Sequence, residues 1–308
     1  MRETTTTTIF PSAQEDVQAA ECVVSTPQTV SPSYRLAFRD HDLLLRDELR
    51  PVRLLLELQK AELILDEHGI TDTVVIFGSA RILAPDIATA KATAVEAALR
   101  QIPHDPRLVR EAARARRDAA NARYYEEARK LASYIAHANQ LNGHGHCVVA
   151  TGGGPGIMEA ANRGAHEAGA KSIGLSIVLP HEEHPNEFVT PALSFLFHYF
   201  AIRKMHFLMR ARVLVVFPGG LGTLDELFDA LTLIQTQKIK PIPILVFGKS
   251  FWERVLNLQA LVDEGMIAPE DVGLLRYVET AEEAWDLIVD SIYEEKAEEM
   301  SAEQYYRP

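Results

Sequence analysis

Apolar runs with the character of buried β-strands recur along the chain, and most are followed by a polar and apolar pattern with helical spacing. The runs lie at 73–80, at the start of 147–169, and at 171–179, 212–220 and 242–248. Fully apolar strands that alternate with helices are typical of a parallel sheet covered on both faces. The pattern therefore predicts an α/β fold, a doubly wound, Rossmann-like parallel sheet with helices on both faces. In such a sheet a ligand lies beyond the carboxyl ends of the strands.

The pattern also predicts how the chain is divided. Residues 1–33 are rich in Thr, Ser, Pro and Gln, which predicts a disordered, mobile tail. Residues 34–70 contain a helical pattern and predict an N-terminal helical extension. Residues 71–298 are predicted to form the Rossmann-like domain, and the charged, alanine-rich stretch at 82–123 is predicted to be a helical insertion in it.

Composition and charge exclude several classes of protein. The 308 residues include 31 Lys and Arg against 43 Asp and Glu, a net charge of −12, which argues against nucleic-acid binding as the main activity. The two cysteines, Cys22 and Cys147, argue against a disulfide framework or a Cys-based zinc site. No apolar run has the length of a membrane span, and the start of the chain does not have the pattern of a signal peptide. We therefore expect a cytoplasmic protein without a membrane partner.

Three glycine-bearing turns end predicted strands: FGSA at 77–80, TGGGPG at 151–156 and PGGLGT at 218–223. Glycines just before a helix leave backbone N–H groups free to bind a phosphate. The GKS at 248–250 is not a P-loop because Pro243 stands where that loop needs glycine, and the second turn does not have the third glycine of the dinucleotide fingerprint. The three turns together predict a cleft for a mononucleotide.

The local sequence allows two interpretations of Glu226. Thr223 and Glu226 have the spacing of a capping box, in which Glu226 would only bond back to the Thr223 N–H. Asp225 would then favour the positive end of the helix. The alternative is that Glu226 does chemistry beside the predicted phosphate site. The local sequence favours capping.

The stretch PGGLGTLDE at 218–226 resembles the PGGxGTxxE signature of the Lonely Guy family, the cytokinin-activating phosphoribohydrolases and the related bacterial nucleotide nucleosidases. The resemblance extends over about residues 50–290 and is closest to the larger, second type within the family. Four further motifs stand in the order of that family: FGSAR at 77–81, TGGGPGIMEAANRGA at 151–165, LPHEEHPN at 179–186 and YFAIRKMHF at 199–207.

The resemblance implies hydrolysis of the N-glycosidic bond of a nucleoside 5′-monophosphate, AMP or an N6-modified AMP such as a cytokinin riboside monophosphate. Glu226 and Arg203 would be the catalytic residues, with Glu226 held ionised by the helix N-terminus. No metal and no cofactor is expected, and the cleft would be completed in a homodimer or a larger even homo-oligomer. A non-catalytic binding or carrier protein for a nucleotide or phosphorylated cofactor is the alternative.

The resemblance also implies the remaining site residues. Pro180, His181 and Glu182 would border the base, although an ordinary surface loop explains them equally well. The residues expected to bind phosphate and ribose are Gly219, Gly220, Gly222, Thr223, Gly78, Ser79, Gly153, Gly154 and Lys204.

Overall fold

The computed structural model describes residues 10–141, 147–180 and 184–291. It divides into two compact units between Gln59 and Lys60, inside the extension predicted for 34–70. In the described residues of the first unit, helix α1 covers Ala13–Glu21 and helix α2 covers His41–Leu44, with short 3-10 turns between and after them. Helix α3, Arg50–Glu67, continues into the second unit.

Helix α1 lies within the segment predicted to be a mobile tail. Ser12 and Glu15 form a capping box at its start, with the Ser12 N–H donating to the Glu15 carboxylate at 2.6 Å. None of its residues is buried. Local capping therefore forms a helix where the composition indicated none, and the expectation of a structureless tail is corrected for these residues. Residues 1–9 of the predicted tail lie outside the described residues.

In the part of the chain that the structure describes, seven parallel strands form one sheet in the order β4-β3-β2-β1-β5-β6-β7. The predicted doubly wound parallel sheet is confirmed. Its two edge strands, β4 and β7, were not among the predicted strands. The strands are β1 Asp72–Phe77, β2 Cys147–Thr151, β3 Ser172–Ile177, β4 Ser194–Phe197, β5 Ala211–Val216, β6 Ile244–Phe247 and β7 Leu275–Val278.

Helices cover both faces of the sheet. One buried apolar cluster lies between the sheet and helices α6, α7 and α12, and the other lies between the sheet and the end of α3 together with α8, α9 and α10. These helices are α4 Pro85–Gln101, α5 Pro106–Asn121, α6 Arg123–Leu141, α7 Ile157–Glu167, α8 Phe200–Met209, α9 Leu221–Gln235, α10 Lys249–Val255, α11 Leu258–Asp263 and α12 over 281–291.

The segment predicted as a helical insertion forms α4 and α5. Both helices bury small alanine side chains, among them Ala88 and Ala115, which are fully buried. An ion pair of 2.9 Å between Lys91 Nζ and Asp118 Oδ2 joins the two helices. Just after α5, the Tyr124 hydroxyl lies so close to Gly248 that no Cβ would fit there. The side chain of Tyr124, near the start of α6, is therefore packed against the carboxyl end of β6.

The strand order reverses between β1 and β5, because β2 lies on one side of β1 and β5 on the other. Such a switch point leaves a crevice at the carboxyl ends of the two strands. Gly78 follows β1 and Pro218 follows soon after β5, and the Ser79 N–H donates to the Pro218 carbonyl at 3.1 Å. The first and third glycine-bearing turns therefore meet at this crevice.

Helices α6 and α7 pack at Gly164, where an added Cβ would overlap the Arg129 carbonyl oxygen. Helix propensity alone predicts that Gly164→Ala stabilises the protein by up to about 1 kcal/mol. The packing predicts the opposite sign, a loss of about 3 kcal/mol, because a backbone oxygen cannot move without shifting a helix. Urea unfolding of the full chain measures the difference.

Gly273→Ala is the matched control, since no heavy atom lies within 4 Å of a Cβ at that position. It should change the unfolding free energy by less than about 0.5 kcal/mol. An unchanged or higher stability of Gly164→Ala would contradict the close helix packing.

Candidate active site

A cleft of about 780 Å³ opens at the switch point, a volume typical of small-molecule sites. All three glycine-bearing turns contribute to its wall, the second through Gly152. The predicted site residues that line it are Gly78, Ser79, Arg203, Gly219, Gly220, Gly222, Thr223 and Glu226.

Glu226 is not part of a capping box. Helix α9 begins at Leu221 with Gly220 as its N-cap, so that Thr223 is the third helical residue and not the cap. The Glu226 Oε1 atom instead accepts a hydrogen bond of 3.2 Å from Arg203 Nη1. The capping interpretation is therefore wrong, because the helix starts three residues earlier than a cap at Thr223 would need.

Arg203 is held in the protein interior, with 9% of its surface exposed. Its Nε donates to the Leu175 carbonyl in β3 at 2.6 Å, and its guanidinium carbon lies 4.8 Å from the centre of the Phe207 ring. A Cβ on residue 152 would come within 2.7 Å of Arg203 Nη2. The guanidinium therefore fits here because residue 152 is glycine. These contacts fix the cation beside Glu226. Gly152 was not predicted, although it is the first glycine of the TGGGPG turn.

The electrostatics of Glu226 differ from the expectation. Burial raises the pKa of Glu226 to about 7, although the neighbouring Arg203 lowers this pKa and Asp225 adds to the rise. The helix N-terminus was expected to keep this carboxylate fully ionised. Only 15% of the Glu226 side chain is exposed, and the loss of hydration outweighs the nearby positive charge. Both protonation states are therefore populated near neutral pH.

Lys204 does not lie in the wall of the cleft. Its Nζ is 3.2 Å from Asp225 Oδ1 and 3.7 Å from Asp229 Oδ2, so it pairs with the outer side of α9. Its predicted contact with the substrate phosphate is corrected: Arg203 points inward from α8, whereas Lys204, the next residue, points away.

Gly153 and Gly154 line a separate cavity of about 200 Å³. The Asn186 side chain donates to the carbonyl oxygens of both glycines, at 3.0 and 2.9 Å. Gly153 also has φ of 75°, in the left-handed region that favours glycine. These two glycines shape the turn and do not line the cleft, contrary to the expectation. Pro180 is exposed and is not part of the cleft wall, while His181 and Glu182 lie outside the described residues.

Several residues in the wall were not predicted. An apolar group comes from α7, the end of β3 and α8, and a polar group comes from the loop after β1 and from α5. The apolar residues are Met158, Ile177, Leu179 and Phe200; the polar ones are Arg81, Asp118 and Asn121; Phe251 of α10 completes the wall. Arg81 stands in the FGSAR motif, but nothing in the sequence indicates that α5 reaches the cleft.

Within the described ranges, no group of three or more His, Cys, Asp or Glu side chains could hold a metal ion. The same residues contain no helix that is both long enough and apolar enough to cross a membrane.

The doubly wound sheet defines a Rossmann-like fold, and its glycine-lined cleft is a candidate small-molecule site. Residues 158–288 match the family described as possible lysine decarboxylase. A probable cytokinin riboside 5′-monophosphate phosphoribohydrolase of Oryza sativa subsp. japonica is 28% identical over 147 residues, 46% of this chain and 58% of that protein. The corresponding Arabidopsis thaliana enzyme is 25% identical over 170 residues, 50% of this chain and 76% of that protein. The predicted resemblance to the Lonely Guy family is confirmed, and the chain spans little more than half the length of the rice relative.

Two solved structures of similar chains are molybdenum cofactor proteins. The cofactor-binding protein of Rippkaea orientalis is 22% identical, with a TM-score of 0.39 over 55% of this chain and 88% of that one. The carrier protein of Chlamydomonas reinhardtii is 16% identical, with a TM-score of 0.43 over 72% of this chain and 99% of that one. Similarity at this level is not evidence of a shared ligand.

The raised pKa of Glu226 predicts a pH-dependent effect on stability. A folded-state pKa of about 7 against the usual 4.5 means that the ionised carboxylate costs the folded state free energy, a cost absent below about pH 4.5 and complete above about pH 7. Glu226→Gln removes this cost. It should therefore stabilise the protein relative to the parent near pH 8, by up to about 3 kcal/mol at ~1.4 kcal/mol per pKa unit, and much less near pH 5.

The measurement is Tm of the parent and the variant at both pH values. Asp225→Asn is the control, because it removes only a minor cause of the raised pKa, a charge on a side chain that is 56% exposed, so its gain near pH 8 should be much smaller. An equal change in Tm at the two pH values for Glu226→Gln would contradict a carboxylate destabilised by burial.

Proposed function

We propose that this protein hydrolyses the N-glycosidic bond of a nucleoside 5′-monophosphate, AMP or an N6-modified AMP. Water supplies the hydroxyl that joins C1′ and the proton that leaves with the base, so the products are the free base and ribose 5-phosphate. The observation that carries the proposal is the buried Arg203–Glu226 ion pair. It lines the same cleft as the glycine-bearing turns, whose backbone N–H groups are suited to bind a phosphate.

The third glycine turn supports the phosphate site. Helix α9 has 15 residues, and its first N–H groups have no partner within the helix, so they carry positive partial charge toward the cleft. A Cβ added to Gly220 or Gly222 would meet no described atom within 4 Å. Because both glycines line the cleft, the space beside them is available to a ligand. A 5′-phosphate bound there would accept hydrogen bonds from these N–H groups.

Glu226 would act on the ribose, about one helical turn beyond the phosphate. Cleavage of the glycosidic bond leaves positive charge on the sugar ring, and an ionised carboxylate beside that ring stabilises the transition state. Arg203 would be a positioning residue, since its bond to the Leu175 carbonyl fixes the guanidinium that holds Glu226. Its permanent charge makes it a poor proton donor to the base.

The apolar part of the wall suits a purine ring. Met158, Ile177, Leu179 and Phe200 lie on the side of the cleft nearest β3, where Arg203 also contacts the sheet. With the phosphate at the switch point and the ribose at Glu226, the base would extend toward this side.

The carrier alternative does not explain the buried carboxylate. A protein that only binds a phosphorylated ligand needs the glycine turns, whereas an anion beside them repels the ligand and destabilises the fold. Glu226 carries both of these costs, as its raised pKa indicates. The buried charge of Glu226 has a purpose if it stabilises positive charge on the ribose, which forms only during the reaction.

Glu226→Gln should abolish most base release while AMP still binds. Gln keeps the size of the side chain and can still accept the bond from Arg203, but it has no charge for the transition state. Turnover should fall by about 100-fold or more, the scale for losing one electrostatic contact of this kind. The measurement is free base released from AMP, with binding of AMP recorded on the same preparation.

Adenosine is the substrate control for this experiment. If the glycine turns bind the 5′-phosphate, the parent protein should cleave AMP far better than adenosine, because remote binding energy serves orientation and turnover. Parent-like turnover by Glu226→Gln would make the catalytic assignment wrong and would favour a binding protein.

The rate of base release should depend on pH through Glu226. If the ionised carboxylate is the active form, its pKa of about 7 predicts that the rate rises as the pH increases through about 7 and then becomes constant. Rates with saturating AMP from about pH 5 to pH 9 measure this profile. A rate that falls over the same range would assign Glu226 as the proton donor instead.

A further inference from the structure

The cleft extends further along the sheet than a nucleoside monophosphate needs. At one end, Arg203 is bonded to the β3 carbonyl of Leu175; at the other end is Phe251, in the helix that follows β6. In the order β3-β2-β1-β5-β6, these ends are four strand spacings apart, about 19 Å at ~4.8 Å per spacing. Only a ribose separates a glycosidic bond from its 5′-phosphate. Base, ribose and phosphate therefore occupy the cleft from β3 to the switch point, and the part toward β6 remains.

Polar side chains outside the glycine turns also line the cleft. Asp118 and Asn121 of α5 are two of them, and Tyr124, near the start of the following helix α6, contacts Gly248 at the carboxyl end of β6. The ion pair with Lys91 at 2.9 Å holds the Asp118 side chain, which is 20% exposed. This carboxylate is therefore fixed in position and its charge is balanced by a neighbour.

Arg81 lines the same cleft and follows the first glycine turn. Its backbone N–H donates to Ser79 Oγ at 3.1 Å, which ties it to the first glycine turn. Among the residues that the structure describes, its guanidinium has no carboxylate partner within ion-pair distance. An arginine in the wall of a cleft, beside a phosphate site and without an internal partner, is suited to a second phosphate group.

We infer that the cleft has a second subsite, formed by Arg81, Asp118 and Asn121, for the distal part of a nucleoside 5′-diphosphate that carries a hydroxylated group. ADP-ribose is the simplest ligand of this class. Arg81 binds the second phosphate. The Asp118 carboxylate accepts hydrogen bonds from the distal sugar hydroxyls, as an acidic side chain does with a ribose diol, and the Asn121 amide donates a hydrogen bond to one of them. The inference rests on the proposed function in one respect, the position of the first phosphate at the glycine turns.

The test is a binding series of AMP, ADP and ADP-ribose, measured by titration calorimetry on the full chain with Glu226→Gln to prevent turnover. Each added group should tighten binding, and ADP-ribose should bind at least about 10-fold more tightly than AMP. In this background, Arg81→Ala should remove the gain from AMP to ADP. Asn121→Ala should remove the gain from ADP to ADP-ribose. Both variants should leave the affinity for AMP within about twofold, because neither residue contacts the first phosphate or the base.

Arg110→Ala is the matched control, since it removes one positive charge from an exposed position of α5 outside the cleft. Arg110→Ala should keep the full increase in affinity from AMP to ADP to ADP-ribose. Equal affinity for AMP and ADP-ribose, or the same losses in Arg110→Ala as in Arg81→Ala, would overturn the subsite.

Base release from AMP, measured with Glu226 intact, tests the proposed function separately. A graded binding series without base release would overturn the hydrolysis and support the subsite. Base release together with equal affinity for AMP, ADP and ADP-ribose would support the hydrolysis and overturn the subsite.

Discussion

The hydrogen bond from Arg203 Nε to the Leu175 carbonyl is the interaction on which the site depends. It anchors a permanent cation to the carboxyl end of β3, inside the protein. Glu226 then lies opposite that cation at 3.2 Å, and burial makes its negative charge costly in the absence of a ligand. Loss of this hydrogen bond would weaken the orientation of the guanidinium toward Glu226, and a weaker ion pair would leave the buried carboxylate less well compensated.

The reversal of strand order supplies the rest of the geometry. The turns after the neighbouring strands β1 and β5 meet at this switch point, and the chain leaves them in different directions, which gives room for a ligand beside the turns. Gly78 allows the first turn to pack on Ile157, since a Cβ there would overlap that side chain. Gly220 and Gly222 border open space instead, so packing does not explain them. The same sequence feature, a glycine turn, thus has a structural purpose at one position and leaves room for a ligand at another.

The fold was predictable because its central strands are buried on both faces and so appear as continuous apolar runs. The edge strand β4 was not, since Ser194–Phe197 alternates between exposed and buried residues over only four positions. The capping box at Thr223 was misleading because its local pattern does not reveal that Gly220 already starts the helix. The pKa of Glu226 and the approach of Asp118 to the cleft depend on contacts between segments that are distant in the chain. Such contacts leave no local pattern.

In the proposed hydrolysis, the buried carboxylate would let one site favour the transition state over the substrate. A bound phosphate brings negative charge and excludes water, and both effects raise the pKa of Glu226 further. Positive charge that develops on the ribose acts in the opposite direction and favours the ionised form. In the proposed reaction, the free energy that it costs to bury the Glu226 charge would therefore be regained when the glycosidic bond breaks, and not when substrate binds. An exposed glutamate at the same distance would be hydrated in both states and would discriminate between them much less.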